Sequence, residues 1–173
     1  MKIAICGVMC SGKTTLANYI VSKNLNYHKT SFANKVKELA VELFGMECKN
    51  RKLLIDIGTK MREIDENVWV NYTIKECQNY ENSIIDDVRN KNEFDILKKE
   101  KWIVIKLVLD EQLQKERLIN TYPENWKEHY QYIQNEKEII NQIPENLFDY
   151  IYIINKNNQE NIFNHIENII NKK

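Results

Sequence analysis

The chain has 173 residues, 25 basic and 25 acidic side chains, and a formal net charge of zero. That length suits a single domain, 1–173, with a real core, and the balanced charge removes the broad electrostatic pull toward nucleic acid or an anionic membrane. No apolar run approaches the roughly 20 residues of a bilayer span, and the start lacks the apolar stretch and cleavage site of a secretory leader, so a cytoplasmic protein is expected.

The strongest signal comes first, in Ile-Ala-Ile-Cys-Gly-Val-Met-Cys-Ser-Gly-Lys-Thr-Thr over residues 3–15. Ile3 to Cys6 reads as a buried strand. Gly7-x-x-x-x-Gly12-Lys13-Thr14 follows, then an amphipathic run with Leu16, Ala17, Tyr19, Ile20 and Val21. Strand, glycine loop and helix start is the context in which this pattern cradles phosphate. Glycine is rare here, four residues in all, and two of them are Gly7 and Gly12. With no side chain at those positions, phosphate oxygens approach the loop N–H groups around Cys10, Ser11 and Thr15, and the helix N-terminus adds positive potential. Lys13 is expected to reach the β- and γ-phosphates, and Thr14 to place its hydroxyl on Mg²⁺.

Tyr27 to Phe32 reads as a second strand. Val36, Leu39, Ala40, Leu43 and Phe44 then recur at helical spacing over 33–44, with Gly45 as the stop. Residues 51–64 repeat the pattern, with Gly58 inside it marking a weak point or a close approach. A helix follows from Val68 to Gln78. Ser83-Ile84-Ile85-Asp86-Asp87 is a buried strand ending in carboxylates, and 90–100 is helical. Trp102 to Leu109 is the plainest strand, after which Asp110 caps a helix. Pro123 and Pro144 bracket a polar helical stretch over 124–142. Asp149 to Ile154 is the last strand, and Ile162, Phe163, Ile166, Ile169 and Ile170 share one face of the last helix. Five strands alternating with helices argue for a parallel sheet covered on both sides, with ligands beyond the carboxyl ends of the strands.

Cys6, Cys10, Cys48 and Cys77 form no C-x-x-C pair, so free thiols are expected and no zinc site. Four of the 25 basic residues are arginine: Arg51, Arg62, Arg89 and Arg117. In so lysine-rich a chain, arginine points to anions, because its fork grips phosphate with two parallel bonds. An acid ending a strand beside a phosphate loop reads as a group that steadies Mg²⁺ or its waters. Neighbouring residues of a regular strand face opposite ways, and Asp87 is favoured over Asp86.

The chain resembles the deoxynucleoside monophosphate kinases of phages and large DNA viruses, members of the P-loop kinase architecture. The resemblance is carried by Gly7–Thr15, Ser31-Phe32-Ala33 with Val36-Lys37, Leu54 with Gly58-Thr59 and Arg62, Val68-Trp69, and Asp87-Val88-Arg89 with Asn92-Glu93. Arg117-Leu118, Glu136 and Asp149-Tyr150 with Asn155 add weaker support. Two positions depart from the family: Asn90 stands where an aromatic is usual, and Asn135 where a serine precedes the glutamate. The resemblance implies a three-layer α/β sandwich with strand order 2-3-1-4-5, acceptor-binding helices over about 33–80 and a helical lid over about 112–142. It implies transfer of the γ-phosphoryl of ATP, with Mg²⁺, to a deoxynucleoside 5′-monophosphate. Lys13, Asp87, Arg89 and Arg117 would serve the transfer. Phe32, Lys35, Arg62, Trp69, Asp87, Arg89 and Glu93 would contact the acceptor, and Thr14 and Asp87 the metal. A homodimer, and a viral protein in the host cytoplasm, fit the same resemblance.

Rival readings remain. Asn155-Lys156-Asn157-Asn158 imitates the guanine-reading N-K-x-D of GTPases, but Asn158 lacks the carboxylate, and no D-x-x-G precedes it. A kinase of the same architecture acting on dephospho-coenzyme A, shikimate or phosphomevalonate is the main alternative. A non-catalytic nucleotide-binding module is the third.

Overall fold

The computed structural model describes residues 1–23 and 26–171. Strands β1 (Lys2–Cys6), β2 (Tyr27–Thr30), β3 (Asn82–Val88), β4 (Ile103–Leu109) and β5 (Tyr150–Ile154) alternate with helices. They form one sheet of order β2-β3-β1-β4-β5, every neighbouring pair parallel. The helices are α1 (Lys13–Lys23), α2 (Phe32–Phe44), α3 (Arg51–Ile64), α4 (Val68–Cys77), α5 (Lys91–Lys99), α6 (Glu111–Thr121), α7 (Trp126–Ile140) and α8 (Gln159–Asn171).

The period-2 alternation of the strands divides the apolar side chains between two cores. Ile3, Ile5, Ile84, Ile105 and Leu107 pack against Leu16, Ala17 and Ile20 of α1 and Ile162, Phe163 and Ile166 of α8. Ala4, Cys6, Ile85 and Val104 face the other way. They pack against Phe32 and Val36 of α2, Trp69 of α4, Phe94 and Leu97 of α5, and Ile133 and Ile140 of α7. Both faces of the sheet are therefore covered, as parallel strands require. The segment 112–142 holds α6 and α7, and these are seated on the core through Leu118, Ile133 and Ile140 rather than raised above it.

The helix ends follow local chemistry. Asp110 accepts the N–H of Leu113 at 3.1 Å, and Asn50 accepts that of Leu53 at 3.1 Å. Gly45 closes α2 at φ 61°, which glycine adopts without penalty. One boundary differs from the sequence expectation. The second strand ends at Thr30, and Phe32 already begins α2, because Asp87 takes the free N–H groups at that helix start. A second difference concerns the two acids of β3. Ala4 pairs with Ile85 and Cys6 with Val88, so Asp86 and Asp87 together face a single residue of β1. This bulge breaks the regular alternation, and both acids border the same cleft. The four cysteines are free.

Candidate functional site

The loop between β1 and α1 is held open by its backbone. A Cβ at Gly7 would lie 2.7 Å from the Leu107 carbonyl oxygen and 2.7 Å from Ser11 Oγ, so only glycine fits there. Cys10 and Gly12 have φ of 64° and 94°, which turn successive N–H groups toward one concavity. Ser11 is fully buried with its hydroxyl unpartnered. Lys13 Nζ donates to the Val8 carbonyl at 2.7 Å. Burial pushes its pKa down to about 8, and the nearby Arg89 guanidinium works in the same direction.

Three connected clefts open above the carboxyl ends of β1 and β3. The first, about 390 Å³, is lined by Gly12, Lys13, Thr14 and Thr15 with Arg117, Asn120 and Gln159 among others. Arg117 Nη1 donates to the Cys10 carbonyl at 3.4 Å and Nη2 to Gln159 Oε1, which ties α6, the loop and α8 together. The second, about 280 Å³, lies between α2, α3 and the end of β3. Lys37, Arg51, Arg62 and Arg89 supply its cations, and Phe32, Val36 and Leu54 its apolar wall. The third joins them, with Lys13 and Thr14 on one side and Asp86, Asp87 and Arg89 on the other.

The two carboxylates within the second cleft are already engaged. Asp87 Oδ1 accepts the N–H of Phe32 at 2.8 Å and Oδ2 that of Ala33 at 3.0 Å. Burial pushes its pKa up to about 6, against the pull of those N–H groups and of Arg89. Glu93 Oε2 accepts the N–H groups of Arg89 and Asn90, both at 2.9 Å, and so fixes the turn that carries Arg89. Glu93 thus lines the cleft as it fixes the turn that carries Arg89. The cleft is left with a surplus of cations.

Arg62 and Arg89 both line this cleft, and Arg51 joins them. Trp69 does not. It is buried, and its Nε1 donates to the Gly58 carbonyl at 3.1 Å, so the Gly58 turn of α3 is fastened to α4 by an aromatic that belongs to the core. Lys35 is also corrected. Its Nζ is 3.0 Å from Glu38 and lies over the Tyr72 ring at 5.5 Å, and Lys37, two residues on, lines the cleft instead. Phe32 lines the cleft and also belongs to the core. Asp86, passed over in the sequence, faces the joining cleft and pairs with Lys29 at 3.3 Å. The turn at 155–158 is self-contained: Asn158 accepts the N–H of Asn155 at 2.9 Å and donates to the Ile153 carbonyl at 2.9 Å.

The lid segment expected over 112–142 contains α7, whose contacts with the site the sequence did not reveal. Glu136 contacts both Met9 and Arg89, and His129 Nδ1 lies 3.2 Å from Arg51 Nη1. Among the described residues no cluster of three metal-ligating side chains occurs. The Thr14 hydroxyl, Asp86 and Asp87 are hard oxygen donors around the joining cleft. That set fits Mg²⁺, which takes one or two protein oxygens and otherwise phosphate and water. Among the described residues no helix is long and apolar enough to cross a membrane.

A family model described as an AAA domain matches residues 3–141. No curated protein matches the chain in sequence. Among solved structures, an uncharacterized protein from Eubacterium ventriosum is 16% identical with a TM-score of 0.62, over 100% of this chain and 99% of its own. A shikimate kinase from Acinetobacter baumannii in complex with shikimate is 15% identical with a TM-score of 0.62, over 99% and 93%. A shikimate kinase from Bacteroides thetaiotaomicron is 14% identical with a TM-score of 0.59, over 99% and 98%. At these identities the likeness is one of fold: a P-loop kinase sheet with its helices on both faces.

Proposed function

The chain belongs to the AAA domain family, and on that footing we propose that it transfers the γ-phosphoryl group of ATP to a deoxynucleoside 5′-monophosphate. The observation that carries this reading is the cleft of about 280 Å³ beside the glycine loop, in which Lys37, Arg51, Arg62 and Arg89 outnumber the nearby carboxylates: Asp87 and Glu93 are bonded to backbone N–H groups, and Glu136 pairs with Nε of Arg89. A phosphate dianion satisfies several guanidinium groups at once. An acceptor with a single carboxylate uses one.

In this reading the loop and Lys13 hold the donor phosphates, and Arg117 lies against the donor cleft. Arg62 and Arg89 hold the acceptor phosphate, while Phe32 and Leu54 flank the rest of the acceptor. Thr14 with Asp86 and Asp87 would hold Mg²⁺ or its waters, which offset phosphate charge as transfer proceeds. The chain contributes position and electrostatics. Two polyanions are brought together, and the cations on both sides lower their repulsion. Asp87 keeps the start of α2 against β3, so the acceptor wall moves with the sheet that carries the loop. Ile139 of α7 adds an apolar side chain to the acceptor cleft, which limits water there. A small cytoplasmic enzyme acting on a soluble substrate is the corresponding picture.

The shikimate kinases that share the fold favour a second reading, a small non-nucleotide acceptor. One assay separates the two. The protein is given ATP and Mg²⁺ with the four common deoxynucleoside monophosphates, their ribo counterparts, shikimate, phosphomevalonate and dephospho-coenzyme A. Diphosphate formation from at least one deoxynucleotide is expected. Turnover of a non-nucleotide acceptor alone would overturn the substrate and keep the fold.

A further inference from the structure

Glu136 occupies a helix face that is otherwise closed to charge. Along α7, His129, Ile133, Glu136 and Ile140 recur at i, i+4, i+7 and i+11, the stripe that an amphipathic helix turns inward. The other three are buried, Ile133 completely. A carboxylate in such a stripe needs partners, because burial without them is costly. Glu136 finds them on two different elements. Its Oε2 accepts the N–H of Met9, within the phosphate loop, at 2.6 Å. Its Oε1 lies 2.9 Å from Nε of Arg89, at the end of β3, as an ion pair without hydrogen-bond alignment.

We infer that Glu136 is a positioning residue for the transfer, a carboxylate on α7 that holds the donor loop and the acceptor arginine at a set distance from each other. The inference rests on the donor and acceptor roles proposed above. One side chain joins the two halves of the site, Met9 on the donor side and Arg89 on the acceptor side. By engaging Nε it leaves both Nη groups of Arg89 for the acceptor phosphate. The same helix reaches Arg51 through His129 Nδ1 at 3.2 Å and the Tyr132 ring at 4.2 Å, so α7 orders two of the cleft arginines. Of these contacts, the Glu136 carboxylate is the one that also touches the loop.

Glu136→Gln tests this. The glutamine keeps the length but has one accepting oxygen, so it holds Met9 or Arg89 and not both. It also removes a negative charge beside the acceptor phosphate. The expected result is a split: kcat falls about 10- to 100-fold because alignment is lost, while KM for the acceptor stays level or drops. A purely structural role moves thermal stability and KM instead, and a kcat within twofold of the parent would overturn the inference. Hydrogen exchange at the Met9 amide provides a readout that needs no acceptor. It should be slow in the parent and about tenfold faster in Glu136→Ala, which leaves no side-chain acceptor for Met9, and an unchanged rate would overturn the bridge itself. If the parent phosphorylates no nucleoside monophosphate, the proposed function falls, and the exchange measurement still decides for or against the bridge.

Discussion

The donor loop and the acceptor cleft are built in opposite ways. The loop is local. Nine consecutive residues, Gly7 to Thr15, form it, and its working groups are mainly backbone N–H groups whose directions are set by Gly7, Cys10 and Gly12. The cleft is assembled. Its cations come from α2, α3 and the end of β3, and they are oriented by Glu93, His129 and Glu136 from elsewhere in the chain. A local site depends on a few backbone torsions. An assembled site depends on whether distant elements pack as they do, so its residues fall into those that touch ligand and those that hold the touching ones.

The comparison breaks most sharply at the loop. Lys13→Ala is expected to lower kcat/KM about 10²- to 10³-fold, as loss of one buried electrostatic contact to transferring phosphate does. A smaller loss than that of Arg89→Ala would place the greater burden on the acceptor side.

A pH profile sharpens it next. Asp87 is charged above about 6 and Lys13 loses its charge above about 8, so kcat/KM should form a bell between those limits. The stability signs follow from the same shifts. Burial makes the folded state hold the Asp87 proton more tightly, so that group's contribution to stability is full at low pH and is lost as pH rises through about 6. Lys13 is held less tightly protonated when folded, so its contribution grows as pH rises past about 8. Asp87→Asn should remove the acid limb of the bell and leave the alkaline limb.

Within the cleft, Lys37→Ala should raise the acceptor KM by about tenfold, the size of one charge-assisted contact, while Lys35→Ala stays within about twofold. Equal effects would mean that the two faces of α2 are not distinct. The smallest effect belongs to Trp69→Phe. Loss of its bond to the Gly58 carbonyl should cost about 1 kcal/mol of stability, read by urea unfolding, with the acceptor KM unchanged.

The same contrast explains what the sequence made legible. The two-faced sheet and the donor loop follow from periodicity and one motif, because each is written in neighbouring residues, whereas the strand order rested on the family resemblance. Arg62 and Arg89 were visible as rare arginines in a lysine-rich chain. Trp69 and Lys35 were misread because a side chain near a site in sequence has two uses, and only packing decides which way it faces. Asp86 and Asp87 share one cleft because of a bulge, which no residue in β3 announces. Glu136 was visible only through the family resemblance, because its partners lie far away in the chain at Met9 and Arg89.

The central claim is that donor and acceptor phosphates meet between Lys13 and Arg89. A bisubstrate compound, adenosine joined to a deoxynucleoside through five phosphates, tests it most directly when made with each of the four common bases. Titration calorimetry should find at least one that binds about 100-fold more tightly than ATP, since linked ligands gain from effective concentration. Lys13→Ala and Arg89→Ala should each abolish that gain. Four compounds that bind no more tightly than ATP would contradict the account.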